Sequence, residues 1–341
     1  MSNNTTVTPV EAIPLIAHAL RAKLPVMLHG SPSTAKSSIA HKVADMANLE
    51  FIDFRVASKE PVDITGYPFR EGGKATYLPF DTFPVEGDEL PKGKAGWLLM
   101  LDEVNMANRA MQGALYGLIL DRLVGQFKLH PKVHIVMAGN LIGDNAIVNP
   151  MGTAIGTRML HLEVVLPHKV WMDWAVDNGI DSRILTYLSY RPQVLASRPE
   201  DMDGYTYPCG RTWHFLSKII TGKDDLQDIL PLLIGAVGEG AGLEFYSYTQ
   251  LKDSLPTVSQ ILANPELCDC PDKPSHRFAM VGLLAESLTV ENAPKLVTYI
   301  LRLPKELQYV LFRLALRRDP ALVQNSKIAE WLEYNAEKYL K

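Results

Sequence analysis

Short apolar runs alternate with amphipathic segments along the first half of the chain. The runs predict buried strands because each is brief, aliphatic and followed by turn residues or polar groups; they span 25–28, 51–56, 97–101, 133–138 and 161–166. Between them, apolar residues recur at helical spacing over 10–23, 37–48 and 106–120. Strands that alternate with helices predict an α/β fold built on a parallel sheet. Pro14 suggests that the regular part of the first helix begins nearer Ile13.

After Pro167 the pattern becomes helical to the end of the chain. Apolar stripes recur at helical spacing over 170–178, 182–190, 205–220, 226–238, 243–254 and 277–341. The stretch 256–276 is rich in proline and aspartate, and we interpret it as a linker. We therefore expect three domains: an α/β domain over residues 1–167, a helical domain over 168–255, and a C-terminal helical extension over 256–341.

The stretch 57–96 interrupts the α/β pattern with many prolines and glycines. Loops of this length in a compact domain are usually functional, yet the same stretch also fits a solvated insertion that contacts no substrate. A second excursion, 121–132, has the pattern of a short hairpin. The sequence does not decide whether either of them touches a substrate.

The composition gives only a broad indication of the class of protein. The 341 residues are 47% hydrophobic and 21% charged, with a net charge of −4, which is typical of a globular protein and does not call for nucleic acid as a partner. Three cysteines without a paired framework fit a reducing compartment. No apolar run is long enough to cross a bilayer, and the first residues lack the pattern of a signal peptide, so we expect a cytoplasmic protein.

The strongest chemical signal is the stretch PVMLHGSPSTAKSSIA over 25–40. A short strand, a tight loop and a helix that opens on Lys-Ser are the layout of a phosphate-binding loop, since a helix N-terminus offers unpaired N–H groups and partial positive charge. Lys36 would reach the β and γ phosphates of a nucleotide, and the Ser37 hydroxyl would bind Mg²⁺. The pattern departs from the usual one at Ala35, where glycine is expected. The alternative is an ordinary strand–turn–helix junction with a solvated lysine.

A second signal is the carboxylate pair Asp102-Glu103 at the end of an apolar strand. In a nucleotide hydrolase the aspartate would hold Mg²⁺ and the glutamate would polarise the attacking water. We predict that the nucleotide-binding residues are Gly30, Ser31, Pro32, Ser33, Thr34, Ala35, Lys36, Ser37, Ser38 and Asp102, with Ser37 and Asp102 also holding the metal.

Two further polar residues follow later strands. Asn140, at the tip of 133–138, would orient the water or contact the γ phosphate, or else only cap the turn that follows. Arg158 precedes the last strand and would serve the γ phosphate of a neighbouring subunit, because a planar, permanently charged guanidinium stabilises transition-state charge. The alternative for Arg158 is an ordinary surface arginine.

Taken together, these motifs resemble those of the AAA+ ATPases, and specifically the MoxR-like branch of bacteria and their phages. The resemblance covers roughly residues 10–255. GSPSTAKSS is similar to the Walker A motif, WLLMLDEVN to Walker B, IVMAGN to sensor 1, TRML to the arginine-finger segment, GRTWHFLSK to sensor 2, and VDITGYP to the motif before the substrate-facing loops. The chain departs from the branch at Ser33 and Ala35 in Walker A, and at Gly210 and Thr212 in sensor 2.

The resemblance implies an AAA+ core followed by an all-helical lid, and a Mg²⁺-dependent ATPase that forms a ring, with a hexamer expected. ATP would lie at subunit interfaces, with Glu103 and Asn140 catalytic, Arg158 acting from the neighbouring copy, and Arg211 linking the γ phosphate to the lid. Such proteins generally act as chaperones on a partner with a von Willebrand A domain. Arg109 and Arg122 are candidates for further interface residues.

Two other functions compete with this one. A related branch drives nucleic-acid processing of the restriction type, although the acidic composition weighs against nucleic acid; stimulation of turnover by DNA would distinguish it. The second alternative, suggested by Ala35, is a nucleotide-dependent scaffold that binds ATP but scarcely hydrolyses it.

Overall fold

A computed structural model describes residues 5–141, 153–197 and 205–339 of the chain. The chain divides into two compact units, Met1–Pro167 and His168–Lys341. The first unit is an α/β fold, and the second is built of helices. This agrees with the fold class expected from the sequence.

The first unit is organised around a six-stranded sheet in which all strand pairs are parallel. The strands of this unit are β1 (Thr6–Val7), β2 (Val26–His29), β3 (Glu50–Arg55), β4 (Tyr67–Glu71), β5 (Lys74–Leu78), β6 (Trp97–Asp102), β7 (Leu123–Val124), β8 (Phe127–Lys128), β9 (Val133–Gly139) and β10 (Leu160–Val164). The sheet has the order β1-β10-β2-β9-β6-β3, and β4-β5 and β7-β8 are separate antiparallel hairpins. The strand β2, which leads into the loop at Gly30, is therefore in the interior of the sheet.

Helices cover both faces of this sheet. They are α1 (Pro9–Arg21), α2 (Lys36–Met46), α3 (Pro61–Thr65), α4 (Arg109–Tyr116) and α5 (Thr153–Gly156), with a π-helical turn over Gly117–Asp121. Successive strand residues point to opposite faces: Met27 packs in the cluster with residues of α3 and α4, whereas Leu28 packs in the cluster with residues of α1 and α2. Burial on both faces explains why the strands appear in the sequence as continuous apolar runs.

The first helix begins earlier than the position of Pro14 suggested. The helix α1 starts at Pro9, because the Thr8 hydroxyl accepts from the Glu11 amide while the Glu11 carboxylate accepts from the Thr8 amide. Pro14 lies inside the helix and leaves the Val10 carbonyl without an intrahelical donor. Val10 is an exposed residue, so water can satisfy that carbonyl. The expectation of a start near Ile13 is wrong for this reason.

The stretch 57–96 contains regular structure. The helix α3 and the β4-β5 hairpin lie within it, and the side chains of Ile64 and Phe83 are buried in the core of the unit. The hairpin turns at Gly72 and Gly73, which both have positive φ. The excursion 121–132 forms the predicted hairpin, β7-β8.

The second unit contains the helices α6 (His168–Asp177), α7 (Ser182–Tyr190), α8 (Gly210–Ile220), α9 (Leu230–Val237), α10 (Glu239–Thr249), α11 (Val258–Ala263), α12 (Pro274–Ser287), α13 (Ala293–Ile300), α14 (Lys305–Arg318) and α15 (Ser326–Tyr339). The predicted linker 256–276 holds α11, which Thr257 and Gln260 cap reciprocally. The helix α12 packs against both α7 and α14. A division of this unit at residue 255 stays a prediction.

Candidate nucleotide-binding site

The loop between β2 and α2 runs from Gly30 to Ala35, as the motif predicts. Gly30 cannot be replaced by a larger residue without a clash, because an added Cβ would lie 2.7 Å from the Thr34 hydroxyl oxygen and 2.7 Å from the Val164 carbonyl oxygen. The Thr34 hydroxyl donates to the Ser31 carbonyl oxygen at 2.9 Å and closes the loop on itself. The first glycine of the motif is thus fixed by packing against β10.

The two positions where the motif departs from glycine are both left-handed. Ser33 and Ala35 each have φ of 67°. Glycine adopts this conformation without penalty, whereas other residues lose roughly 1–2 kcal/mol in it. The loop therefore keeps a backbone that suits glycine although the residues are serine and alanine. Ala35 therefore adds strain to the loop that glycine would not.

The first turn of α2 has the properties of an anion site. Within the described part of the chain, no side chain caps this helix, and its first turn carries no acidic residue. The start of a helix carries partial positive charge, which α2 therefore adds at the loop. An anion held by the loop would be stabilised by that charge.

Lys36 lies folded back over the loop and only 9% of its surface is exposed. Its ammonium donates to the carbonyl oxygens of Gly30 at 2.6 Å and Ser31 at 3.0 Å, and to the Asn140 amide oxygen at 3.4 Å. These contacts contradict the alternative of a solvated lysine at an ordinary junction. They bring the predicted sensor residue to the same point as the predicted phosphate-binding lysine.

The Ser37 hydroxyl donates to Asp102 at 2.9 Å, which joins the start of α2 to the end of β6. A serine oxygen and a carboxylate oxygen are hard ligands of the kind Mg²⁺ prefers, and Mg²⁺ in such sites takes its remaining ligands from water and substrate phosphates. Across residues 5–141, 153–197 and 205–339, no group of three His, Cys, Asp or Glu side chains could hold a metal alone. The pair therefore fits a cation that arrives with a phosphate.

Glu103 follows Asp102 in a left-handed conformation with φ of 58°. Its amide donates to the other carboxylate oxygen of Asp102 at 2.9 Å, so the two residues turn together away from the strand. A non-glycine residue with positive φ at the end of a strand is uncommon and occurs often at functional sites. This conformation directs the chain into the 3-10 turn Val104–Met106.

Asn105 is a residue of the site to which the sequence assigned no role. Its side-chain amide donates to the Asn140 carbonyl oxygen at 2.7 Å, and its amide oxygen accepts from the Asn140 backbone amide at 3.2 Å. Asn105 is buried, and Gly139 lies so close that an added Cβ would be 2.8 Å from its oxygen. The available signal was a single asparagine after the carboxylate pair, and its partner, Asn140, is 35 residues further along the chain.

A pair of histidines links the loop to the segment that carries Arg158. His29 Nε2 and His161 Nδ1 are 2.9 Å apart, and His161 Nε2 lies 2.7 Å from the Gly156 carbonyl oxygen. Since His161 donates to that carbonyl, His29 supplies the proton between the two rings. Burial, followed by the proximity of His161, lowers the pKa of His29.

Arg158 lies at the edge of the sheet opposite the loop. It precedes β10, whose first amide, that of Leu160, donates to the Pro25 carbonyl oxygen at 2.9 Å. The strands are parallel, so this is their amino-terminal edge, whereas Gly30 and Asp102 follow or end strands at the carboxyl-terminal edge. The structure thus brings together the loop, Asp102 and Asn140, and separates them from Arg158.

The remaining predicted positions belong to other elements. Arg109 is exposed in the first turn of α4, and Arg122 is half-buried beside β7. Arg211 is exposed in the first turn of α8, in the second unit, and its relation to the loop stays a prediction. Gly210, a departure from the sensor 2 motif, packs so tightly that an added Cβ would be 2.5 Å from the Trp171 indole nitrogen.

Comparison with known proteins gives only distant similarities. No protein-family model and no curated protein matches the chain. Among solved structures, a candidate ATPase from Cytophaga hutchinsonii is 13% identical, with 98% of this chain and 90% of that chain covered and a TM-score of 0.39. A RuvB point mutant from Thermotoga maritima is 15% identical, covering 71% of this chain and 70% of its own, with a TM-score of 0.41.

NtrX from Brucella abortus is 14% identical, with 96% of this chain and 68% of that chain covered and a TM-score of 0.41. Similarities this low carry no weight for the function of the chain, which therefore rests on the geometry of the loop and its neighbours. No helix within the described ranges is both long and apolar enough to span a membrane.

Proposed function

We propose that this chain is an AAA+ ATPase of the MoxR-like type, which hydrolyses ATP with Mg²⁺ in a ring and uses the resulting motion to remodel or assemble a partner protein. The observation that carries the proposal is the convergence of Lys36, Asn140 and the Ser37–Asp102 pair on one loop. Each of them is a group that phosphoryl transfer to water requires.

Binding would use the loop Gly30–Ala35, the first amides of α2, and Lys36 as the cation beside the β and γ phosphates. Ser37 and Asp102 would hold Mg²⁺, which neutralises charge on the phosphates when it is bound. Ser31, Pro32, Ser33, Thr34 and Ser38 would complete the walls of the site. The buried lysine and the uncapped helix together favour an anion over a neutral ligand.

For hydrolysis, Glu103 would accept the proton of the attacking water, and Asn140 would orient that water or contact the γ phosphate. The Asn105 amide supports this arrangement because it fixes the backbone of Asn140 on both sides and leaves its side chain facing Lys36. An asparagine that only capped a turn would not need such support. We therefore favour the catalytic role of Asn140 over the capping role.

Arg158 would act on the nucleotide of an adjacent copy. Four residues of β2 separate the two edges of the sheet, a span of roughly 13 Å at the usual rise per residue. The position of Arg158 at the far edge thus supports action between copies, and hence a ring, for which we propose six copies. Arg211 would report the γ phosphate to the helical unit, and a protein with a von Willebrand A domain is the partner that we propose.

The left-handed backbone conformation of Ala35 is relevant to the alternative of a scaffold that binds ATP but scarcely hydrolyses it. Because Ala35 adopts the left-handed conformation that glycine favours, it does not by itself argue for binding without turnover. No observation favours nucleic acid as a substrate, and we propose a protein client in the cytoplasm.

The test is ATP turnover and particle size in one sample of the full chain. Wild type should hydrolyse ATP as a ring, and Glu103→Gln should keep the ring and lose turnover. Glu50→Gln is the matched control, because Glu50 is an exposed glutamate at the start of β3, at the opposite edge of the sheet. If wild type assembles with ATP and turns over no faster than Glu103→Gln, the chain is a scaffold and the proposal is wrong.

A further inference from the structure

Two of the three cysteines, Cys268 and Cys270, lie two residues apart in the segment between α11 and α12. All three cysteines of the chain are thiols in this structure. Cys268 and Cys270 are both half-buried, and both pack against the apolar cluster that α12, α13 and α14 form. Because they contact the same cluster, the two thiols lie on the same side of their segment.

Side chains from α13 and the turn after it hold this segment in place. The Tyr299 hydroxyl donates to the Asp269 carbonyl oxygen, between the two cysteines, at 2.8 Å. Arg302 Nη1 donates to the carbonyl oxygens of Pro265 and Cys268, both at 2.8 Å, and its guanidinium lies 5.4 Å from the centroid of the Tyr299 ring. These three hydrogen bonds fix the backbone that carries the thiols. Groups that are held in place react with each other more readily than groups that are free to move.

The two thiols are also near each other. Burial raises the pKa of the Cys268 thiol, and Asp269 and the Cys270 thiol raise it further, against the opposing charge of Arg302. Two Cα atoms that are two residues apart lie at most about 7 Å from each other, and disulfides usually join Cα atoms about 4–7 Å apart. A small contraction of the backbone is therefore enough to join Cys268 to Cys270.

A cavity of about 740 Å³ opens beside both cysteines, and its wall also includes Asp272 and His276. These residue types could bind a metal ion, but across residues 5–141, 153–197 and 205–339 no three of them are placed to hold one. Structural zinc sites take four such ligands. The arrangement therefore favours covalent chemistry of the thiols themselves, and the cavity gives a small molecule access to them.

We propose that Cys268 and Cys270 form a reversible dithiol–disulfide pair that exchanges with small-molecule disulfides, of which oxidised glutathione is the probe. One thiolate of the pair attacks the small disulfide, whose S–S bond breaks to release a small thiolate. The second thiolate of the pair then attacks the mixed disulfide and releases the other small thiolate. The chain loses two electrons and two protons, and the small disulfide gains both. The inference does not depend on ATP hydrolysis.

Closing this ring should destabilise the second unit. The stability that a disulfide gains from chain entropy grows with the loop that it closes, and a loop of only three residues gains little. The contraction also displaces the Asp269 carbonyl group, which lies inside the ring, from the Tyr299 hydroxyl. We expect the unfolding midpoint of the disulfide form to be about 2–4 °C lower than that of the dithiol form.

The experiment equilibrates the reduced full chain with a series of ratios of oxidised to reduced glutathione, alkylates the remaining thiols, and measures the masses of the cysteine peptides. The peptide with Cys268 and Cys270 should lose two hydrogens, and reduced glutathione should restore them. Cys209, which is buried in the first turn region of α8, should be alkylated throughout once the chain is unfolded for labelling. Cys209→Ser is the matched control and should keep the disulfide.

Two further variants test the separate steps. Cys270→Ser should stop at the mixed disulfide of Cys268 with glutathione. Arg302→Gln removes the bonds to the Pro265 and Cys268 carbonyl oxygens and should raise the ratio of mixed to closed disulfide by about fivefold. Arg70→Gln, on the exposed hairpin β4-β5, should leave that ratio unchanged.

The inference is wrong if Cys268 and Cys270 of wild type are alkylated at every glutathione ratio, if wild type stops at the mixed disulfide as Cys270→Ser does, or if the disulfide that forms includes Cys209. These outcomes are measured on the wild-type chain and on Cys270→Ser, so they hold even if Arg302→Gln does not fold. Equal unfolding midpoints for the dithiol and disulfide forms would contradict the proposed effect on the second unit.

Discussion

Replacing Ala35 by glycine should stabilise the chain, whereas glycine inside a helix normally destabilises it. Ala35 precedes α2 with φ of 67° and ψ of 21°, a left-handed conformation that disfavours an L side chain by roughly 1–2 kcal/mol. The greater freedom of glycine in the unfolded chain opposes this by about 0.4–1 kcal/mol. The difference leaves a net gain of about 0.5–1 kcal/mol.

Hydrogen exchange of the α2 amides in the nucleotide-free protein measures this gain locally. The Ile39 amide donates to the Ala35 carbonyl oxygen at 2.9 Å and is therefore a direct reporter. A gain of this size should slow its exchange by about two- to fivefold. Lys42→Gly, at an exposed position inside α2, is the matched control and should lose about 1 kcal/mol relative to Lys42→Ala.

Two outcomes would refute the reasoning. If Ala35→Gly speeds exchange as Lys42→Gly does, Ala35 is not left-handed in the folded chain. If exchange is unchanged and only the affinity for ATP improves, the left-handed conformation forms on binding, and the strain belongs to the complex. The predicted pattern is a more stable α2 with nucleotide affinity within about twofold of wild type.

The remaining predictions concern Asn105 and His29. Asn105→Ala should lower the free energy of unfolding by about 1–3 kcal/mol, because it removes the side chain that bonds both backbone groups of Asn140, and it should reduce ATP turnover. The control is Asn108→Ala, which removes only the helix cap that bonds the Met111 amide. It should lower the free energy of unfolding by about 1 kcal/mol and retain turnover. The pKa of His29 is lower in the folded chain than in the unfolded chain, where it is about 6.5. As the pH falls below about 6.5, the unfolded chain therefore binds more protons than the folded chain, and stability falls. His29→Gln, which keeps a donor toward His161, should flatten part of that decline in denaturant midpoints between pH 7 and 5, and an unchanged slope would contradict the assignment.

The sequence predicted the sheet and one edge of the site because both depend on local pattern. The phosphate loop and the Asp102-Glu103 pair each follow an apolar run, and parallel strands place their carboxyl ends side by side. That rule alone was enough to expect the Ser37–Asp102 contact. It also places Arg158, which precedes its strand, at the other edge.

What the sequence did not reveal depends on contacts between distant segments. The pairing of Asn105 with Asn140 joins residues that follow two different strands, β6 and β9, and such a contact leaves no periodic pattern in the sequence. The β4-β5 hairpin was hidden by the proline and glycine content around it, although Gly72-Gly73 is the dipeptide typical of a two-residue hairpin turn. Trp171 and Trp174 lie three residues apart in α6, yet Trp171 is buried and 40% of the surface of Trp174 is exposed, because a spacing of three does not fix which side of a helix is covered.

The two edges of the sheet are connected by hydrogen bonds between side chains as well as by the strands β2 and β10. His29 ends β2 immediately before Gly30, and its ring bonds His161, which in turn bonds the Gly156 carbonyl at the end of α5, two residues before Arg158. A displacement of the loop at Gly30 would therefore act on the His29 ring and, through the exposed His161 ring, on the arginine segment. In a ring this would couple the nucleotide of one copy to the arginine that the same copy offers to the next. His29 is the residue at which that coupling should be sensitive to pH.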